Sequence, residues 1–167
     1  IAALDAAQLT ALSDEQLAAL TTTQVRAIDV ADLQALANGD LTVLTSAQIA
    51  ALSSEQFAGL TAGQIAAIDA TDLQGVSTAV LTQMTTTQVQ ALTLEQVPAL
   101  TTAQIRALET ADLAALTDAQ IAALTTANIV GLETADAAAL TSAALGAPGA
   151  ERPRWRGAPG TAAARRC

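Results

Sequence analysis

The sequence predicts an all-α fold: a solenoid of short capped helices, one per eight-residue repeat. Three observations predict it. One octad recurs from Asp5 onward, eighteen times without an insertion. Its conserved slots make up a helix-start signature. Its period suits neither a long helix nor a strand.

The first slot of the octad is Thr, Ser or Asp in fifteen copies, and the fourth is Gln, Asp or Asn in sixteen. The fifth slot is aliphatic in sixteen, and the eighth is Leu, Ile, Val or Met in seventeen. The seventh is Ala or Gly in sixteen. In one continuous helix, eight residues advance about 800°, roughly 80° past two turns, so the aliphatic pairs would spiral and form no stripe. A supercoil would need about 4.0 residues per turn, outside the range of roughly 3.5 to 3.67 that supercoils use. In a strand the aliphatic spacings of 3 and 5 would face alternate sides.

A short helix per octad explains every slot. The first-slot hydroxyl or carboxylate caps an early backbone N–H. The fourth-slot Gln reaches back to the cap's own N–H, completing a capping box. The preceding Leu packs on the fifth-slot aliphatic as a hydrophobic staple. Leu100, Thr101, Gln104 and Ile105 form one complete signature. An isolated octad cannot offset the cost of nucleating a helix, so octads must stack on neighbours. Small seventh-slot residues would let helices approach closely. Leu33, Leu36, Ile65, Ile105, Leu108 and Leu113 should be buried, with the Gln and Thr slots mostly outside.

Along the chain, the first three octads follow the consensus. The fourth, DVADLQAL at 29–36, pairs two acids, as do 69–76 and 109–116, forty residues apart each time. Glu15, Glu55 and Glu95 repeat at forty as well. This recurrence predicts five octads per solenoid turn. Pro98 sits inside an octad, where a helix of one or two turns has few bonds to lose. Regularity stops near Leu145. The chain therefore divides into an octapeptide-repeat α-solenoid, 1–148, and a Gly/Pro/Arg-rich tail, 149–167, expected to be disordered or non-native.

Charge divides the same way. Residues 1–148 carry two Arg and fifteen acids, a net of −13, while 149–167 carry five Arg and one Glu, a net of +4. An acidic body without Lys argues against nucleic acid, which needs clustered cations. No apolar run approaches the ~18 residues of a membrane span, so no membrane insertion is expected. The lone Cys167 excludes an internal disulfide framework. The chain begins with Ile1, which reads as a fragment or processed product, so a missing leader says nothing about export.

The search for chemistry yields no catalytic, cofactor-binding or metal residue, and no cofactor. There is no His to activate a Ser or Thr. Asp29/Asp32, Asp69/Asp72 and Glu109/Asp112 could stack as an acidic ladder for Ca²⁺, but acids at a cap and first turn are better read as capping and dipole residues. Thr rows could order water or bind ice, although the second slot is irregular (Ala6, Asp14, Thr22, Val30). Arg26 and Arg106, eighty residues apart in one slot, are expected in solvent. Phe57 and Met84 read as core fillers. Trp155 could anchor a cationic docking tail, and Cys167 lies in no redox motif.

The phrases TTAQIRAL, TDAQIAAL and TSAQIAAL resemble the long LTTAQIAAL-type octapeptide arrays of very large proteins in Gram-negative bacteria. Those proteins are regarded as secreted or surface-located and are linked to adhesion or haem utilisation. The resemblance covers about residues 5–145 and implies a bacterial protein, secreted or on the cell surface. It carries no catalytic residue, and haem use finds no support without a His.

The leading expectation is a structural spacer or stalk with no enzymatic activity, whose partners are neighbouring repeats of its own chain. The alternative is a binding module whose outer face adheres to a protein partner, a glycan or an ice surface.

Overall fold

The computed structural model describes residues 5–132, together with Asp136, Ala138 and Leu140. The expected tail at 149–167, with Trp155 and Cys167, lies outside the described residues.

Residues 5–132 form sixteen octads and sixteen short helices, one to each. They are α1 (Ala6–Thr10), α2 (Asp14–Ala18), α3 (Thr22–Arg26), α4 (Val30–Ala35), α5 (Asn38–Thr42) and α6 (Ser46–Ala50). Next come α7 (Ser54–Gly59), α8 (Ala62–Ala67), α9 (Ala70–Leu73), α10 (Thr78–Leu81) and α11 (Thr86–Ala91). The series ends with α12 (Gln96–Ala99), α13 (Thr102–Ala107), α14 (Thr110–Ala114), α15 (Asp118–Ala123) and α16 (Thr126–Gly131). No strand occurs among the described residues, and none of the helices is long and apolar enough to cross a membrane.

The corner between helices is two extended residues. In the octad of α13, Thr101 has φ −71° and ψ 159°, and Leu108 closes with φ −70° and ψ 138°. The reciprocal capping box forms at ten helices: α1–α3, α6–α8, α11, α13, α15 and α16. Thr93 and Gln96 make the same pair of bonds, 2.8 and 3.1 Å, ahead of α12.

The acidic caps differ from expectation. Asp29, Asp69 and Glu109 make no side-chain cap bond. Each is followed three residues later by Asp, so a reciprocal box would bring two carboxylates together. Asp5, followed by Gln8, does cap.

The fifth- and eighth-slot aliphatics form one continuous core, including the six positions named above. Phe57 and Met84 are buried in it. Seventh-slot residues sit where turns touch. A Cβ on Gly131 would lie 2.9 Å from the Thr102 carbonyl oxygen, and one on Gly59 would overlap the Val30 side chain.

The expected five octads per turn is incorrect. The extensive helix–helix contacts join each helix to the one three octads away, such as α1 with α4, α6 with α9 and α13 with α16. Hydrogen bonds to the turn below span four octads, at separations of 28 and 31 residues. Each helix thus seats between two helices of the preceding turn, and a turn takes about three and a half octads. A pentagon would be too wide for two aliphatics per octad to fill, whereas this narrower ring leaves Ile49, Phe57, Ile65 and Leu73 fully buried.

Candidate functional site

The most constructed feature of the molecule is the fourth slot. Expected outside, Gln48, Gln56, Gln64, Gln88, Gln96, Gln104 and Gln120 are all buried. Each amide is used at both ends. Its Oε1 accepts the cap N–H, as in Gln104 from Thr101 at 2.9 Å. Its Nε2 donates to the turn below. Gln48 reaches the carbonyls of Leu17 and Leu20, both at 2.8 Å. Gln56 reaches Val25 and Ile28 at 2.9 and 2.7 Å. Gln104 reaches Leu73 and Val76 at 2.6 and 2.8 Å.

For every buried Gln the acceptors include the fifth- and eighth-slot carbonyls four octads earlier, and in most copies the sixth-slot carbonyl between them, as in Gln88 with Ala58 at 3.0 Å. These include C-terminal carbonyls that a short helix leaves unserved. A primary amide has two N–H donors and one oxygen acceptor, so it closes a cap in one turn and the end of a helix in another. The shorter Asn128 makes the same kind of cap but reaches only Leu100, at 2.7 Å. Every buried side-chain N or O among the described residues has a partner. The sequence did hold a signal. A capping box accepts Glu as readily as Gln, yet Glu never occupies the fourth slot in eighteen octads. Where the side chain is long enough to reach the turn below, the slot holds the amide and not the acid.

Where the slot is Asp the contact changes. Asp72 accepts from the Ser46 hydroxyl, and Asp136 from the Thr110 hydroxyl at 2.8 Å, both three octads back. Burial raises the pKa of Asp112, with the Glu109 charge adding to the rise, while a backbone hydrogen bond from Glu109 opposes it. Because turns repeat near 28 residues, Asp32, Asp72 and Asp112, forty apart, do not lie one above another. No group of three or more acidic, His or Cys side chains among the described residues is placed to hold a metal ion.

Arg26 and Arg106 are not simply solvated. Their Nε groups donate to the Ala51 and Gly131 carbonyls, at 2.9 and 3.1 Å, 25 residues ahead. The Gln34 amide does the same to Gly59 at 2.6 Å. Some second-slot hydroxyls are also spent between turns, with Thr102 donating to Ala127 at 3.2 Å. One open cleft of about 480 Å³ is lined by Ala66–Ala70 and Thr93–Gln96. There α12 begins only at Gln96, and Leu94 is 55% exposed.

A family model described as the ALTTAQ repeat matches residues 25–62, 33–70, 65–102 and 98–126. Together these matches run from residue 25 to residue 126, more than half of the 167 residues. No curated protein and no solved structure matches the chain.

Proposed function

We propose that this chain, which belongs to the ALTTAQ repeat family, is a structural spacer or stalk without catalytic activity. The buried amide ladder is the observation that carries this reading. Most octads bring a cap and two aliphatics, and eight of the sixteen add an amide that ties them to the octad four before. Length can therefore grow by a constant step. Sixteen octads at about three and a half per turn give a rod of roughly 35–45 Å, at the usual ~8–10 Å helix spacing. The acidic, Lys-free body favours solubility and discourages anionic partners. With no His, no side chain has an ordinary pKa near neutrality to serve as a base.

Small-angle scattering on arrays of increasing octad number tests this. The long dimension should rise linearly, and a radius of gyration that plateaus would exclude the rod. Secretion or display at a bacterial surface is inferred from the repeat phrases. Protease accessibility of the parent protein on intact cells tests it, and full protection would refute it.

A second reading, a binding module for a partner, a glycan or ice, is favoured by the cleft beside Leu94. A glycan-array or pull-down signal abolished by Leu94→Ser would favour it over the spacer.

A further inference from the structure

Gly39 is the one described glycine that packing does not explain. A Cβ on Gly59, Gly63 or Gly131 would run into the neighbouring turn, and one on Gly75 would touch Ala50 at 3.4 Å. A Cβ on Gly39 would meet nothing within 4 Å, and its backbone lies outside the left-handed region. Glycine inside a helix costs about 0.5–1 kcal/mol against Ala. The fold therefore loses stability at residue 39 and gains neither packing nor a turn.

What glycine does supply is an unhindered backbone nitrogen next to Asn38. Both residues are exposed. As the second residue of α5, Gly39 has no carbonyl one turn back within the helix, and its N–H donates to nothing among the described residues. The Asn38 amide lies over Gly63 of the following turn and makes no hydrogen bond among the described residues. Asn128, the only other asparagine of the chain, is the opposite case. It is buried, its Oδ1 accepts the Thr125 N–H at 2.9 Å, and its Nδ2 donates to Leu100 at 2.7 Å. The nitrogen after it belongs to the β-branched Ile129 and donates to the Thr125 carbonyl at 3.0 Å.

We propose that Asn38–Gly39 is a self-modifying site, where the side-chain amide is lost through a succinimide and replaced by a carboxylate. The Gly39 nitrogen, having given its proton to hydroxide, attacks the Asn38 Cγ and forms a five-membered ring. The Cγ–Nδ2 bond breaks, and ammonia leaves with a proton taken from water. Water then opens the ring at either carbonyl. One opening gives aspartate, and the other gives isoaspartate, in which the main chain runs through Cβ and Cγ. The attack needs Asn38 to leave its helical conformation. α5 is five residues long, and Ala37 is the only N-cap among the sixteen helices without a polar side chain, so local opening is easy here. The β-linked product adds an atom to the main chain inside the Ala37–Asp40 box and ahead of the buried Leu41, so it would loosen this turn. The site is independent of the spacer reading, because its chemistry is the same whatever the array does.

Ageing the full folded chain at neutral and mildly alkaline pH, followed by peptide mapping with mass spectrometry, tests the proposal. The Asn38 peptide should gain the mass of an amide-to-acid exchange and split into two isomers, one of which co-elutes with the peptide of Asn38→Asp. Loss should quicken with hydroxide. It should run within about a hundredfold of the rate in guanidinium-unfolded chain, an opening of about 2.7 kcal/mol. Asn128 should stay intact in the folded chain. Gly39→Ala should slow the loss at least about tenfold. A folded chain that loses the Asn38 amide more slowly than that hundredfold limit overturns the proposal, since the helix then protects the pair. So does equal loss at Asn128, a single product without the β-linked isomer, or a Gly39→Ala variant that reacts as fast.

Discussion

Octads 101–108 and 109–116 are neighbours in sequence and share one buried slot, filled by Gln104 in the first and Asp112 in the second. Gln104 accepts the Thr101 N–H and donates to Leu73 and Val76. Asp112 accepts from the Glu109 backbone and has no proton to give when ionised. The equivalent carbonyls, Leu81 and Met84, receive no side-chain amide among the described residues. The difference teaches what the slot requires. An acceptor caps the helix, and a donor ties the turns. The fold tolerates losing the donor at intervals, with some turns tied by other contacts, such as Asp72 with Ser46.

The strongest way to break the comparison is Gln104→Glu. The new carboxylate could still cap Thr101, but it would face the Leu73 and Val76 carbonyls with no proton to donate. An unpaired buried charge should cost about 3–5 kcal/mol, and the loss should shrink as the pH falls and the carboxyl protonates. The same change at the exposed Gln16 should stay within about 0.5 kcal/mol. Urea denaturation followed by circular dichroism measures both. Equal losses at the two sites would mean that the amide nitrogen ties nothing.

Next in size is Leu108→Ala, in the octad that has both acceptor and donor. Leu108 is buried in the core, so truncation should cost about 2–5 kcal/mol by transfer and cavity terms. A loss below about 0.5 kcal/mol would show that the amides, and not the aliphatics, hold the turns together.

The glycines sharpen the picture where turns touch. Gly131→Ala would push a methyl to 2.9 Å from the Thr102 carbonyl oxygen, and backbone cannot rotate away as a side chain can. A cost of about 1–3 kcal/mol is expected. Gly39 lies within α5 and meets nothing within 4 Å. Gly39→Ala should stabilise by about 0.5–1 kcal/mol through helix propensity. Thermal melts of both variants should move in opposite directions.

What was legible in the sequence was whatever a single octad encodes. Thr101, Gln104 and Ile105 announce a cap, a box and a staple from their own spacing, and the core follows from the aliphatic slots. The turn was not legible. Its size depends on the angle made by two extended residues such as Leu108 and Glu109, and no residue type specifies that angle. The forty-residue recurrence of acids was a misleading ruler, because it marks octads that lack the amide and not octads that share a face. The second use of Gln was hidden for a related reason. Its partners are backbone carbonyls 28–31 residues away, so they leave no matching side chain to find. Arg26 and Arg106 were missed likewise, since Ala51 and Gly131 offer only their carbonyls.

The last test repairs the deficient octad. Asp112→Gln would restore a donor facing Leu81 and Met84 and remove a buried carboxylate. The two gained hydrogen bonds should stabilise the chain by about 1–2 kcal/mol at neutral pH. The pH dependence adds a second reading of the same variant. The Asp112 pKa is raised in the folded state, first by burial and then by the Glu109 charge. The folded chain therefore holds that proton to a higher pH than the unfolded chain does. Its contribution is full below the unfolded value and is lost as the pH rises through the raised folded one. Gln has no such loss, so the advantage of the variant should be larger near pH 7 than near pH 3. The remaining acids titrate in both proteins and cancel in the difference. Urea midpoints for wild type and variant across that range give the answer. A variant no more stable at neutral pH, or an advantage that does not change with pH, would show that Asp112 is not a faulty tie between turns.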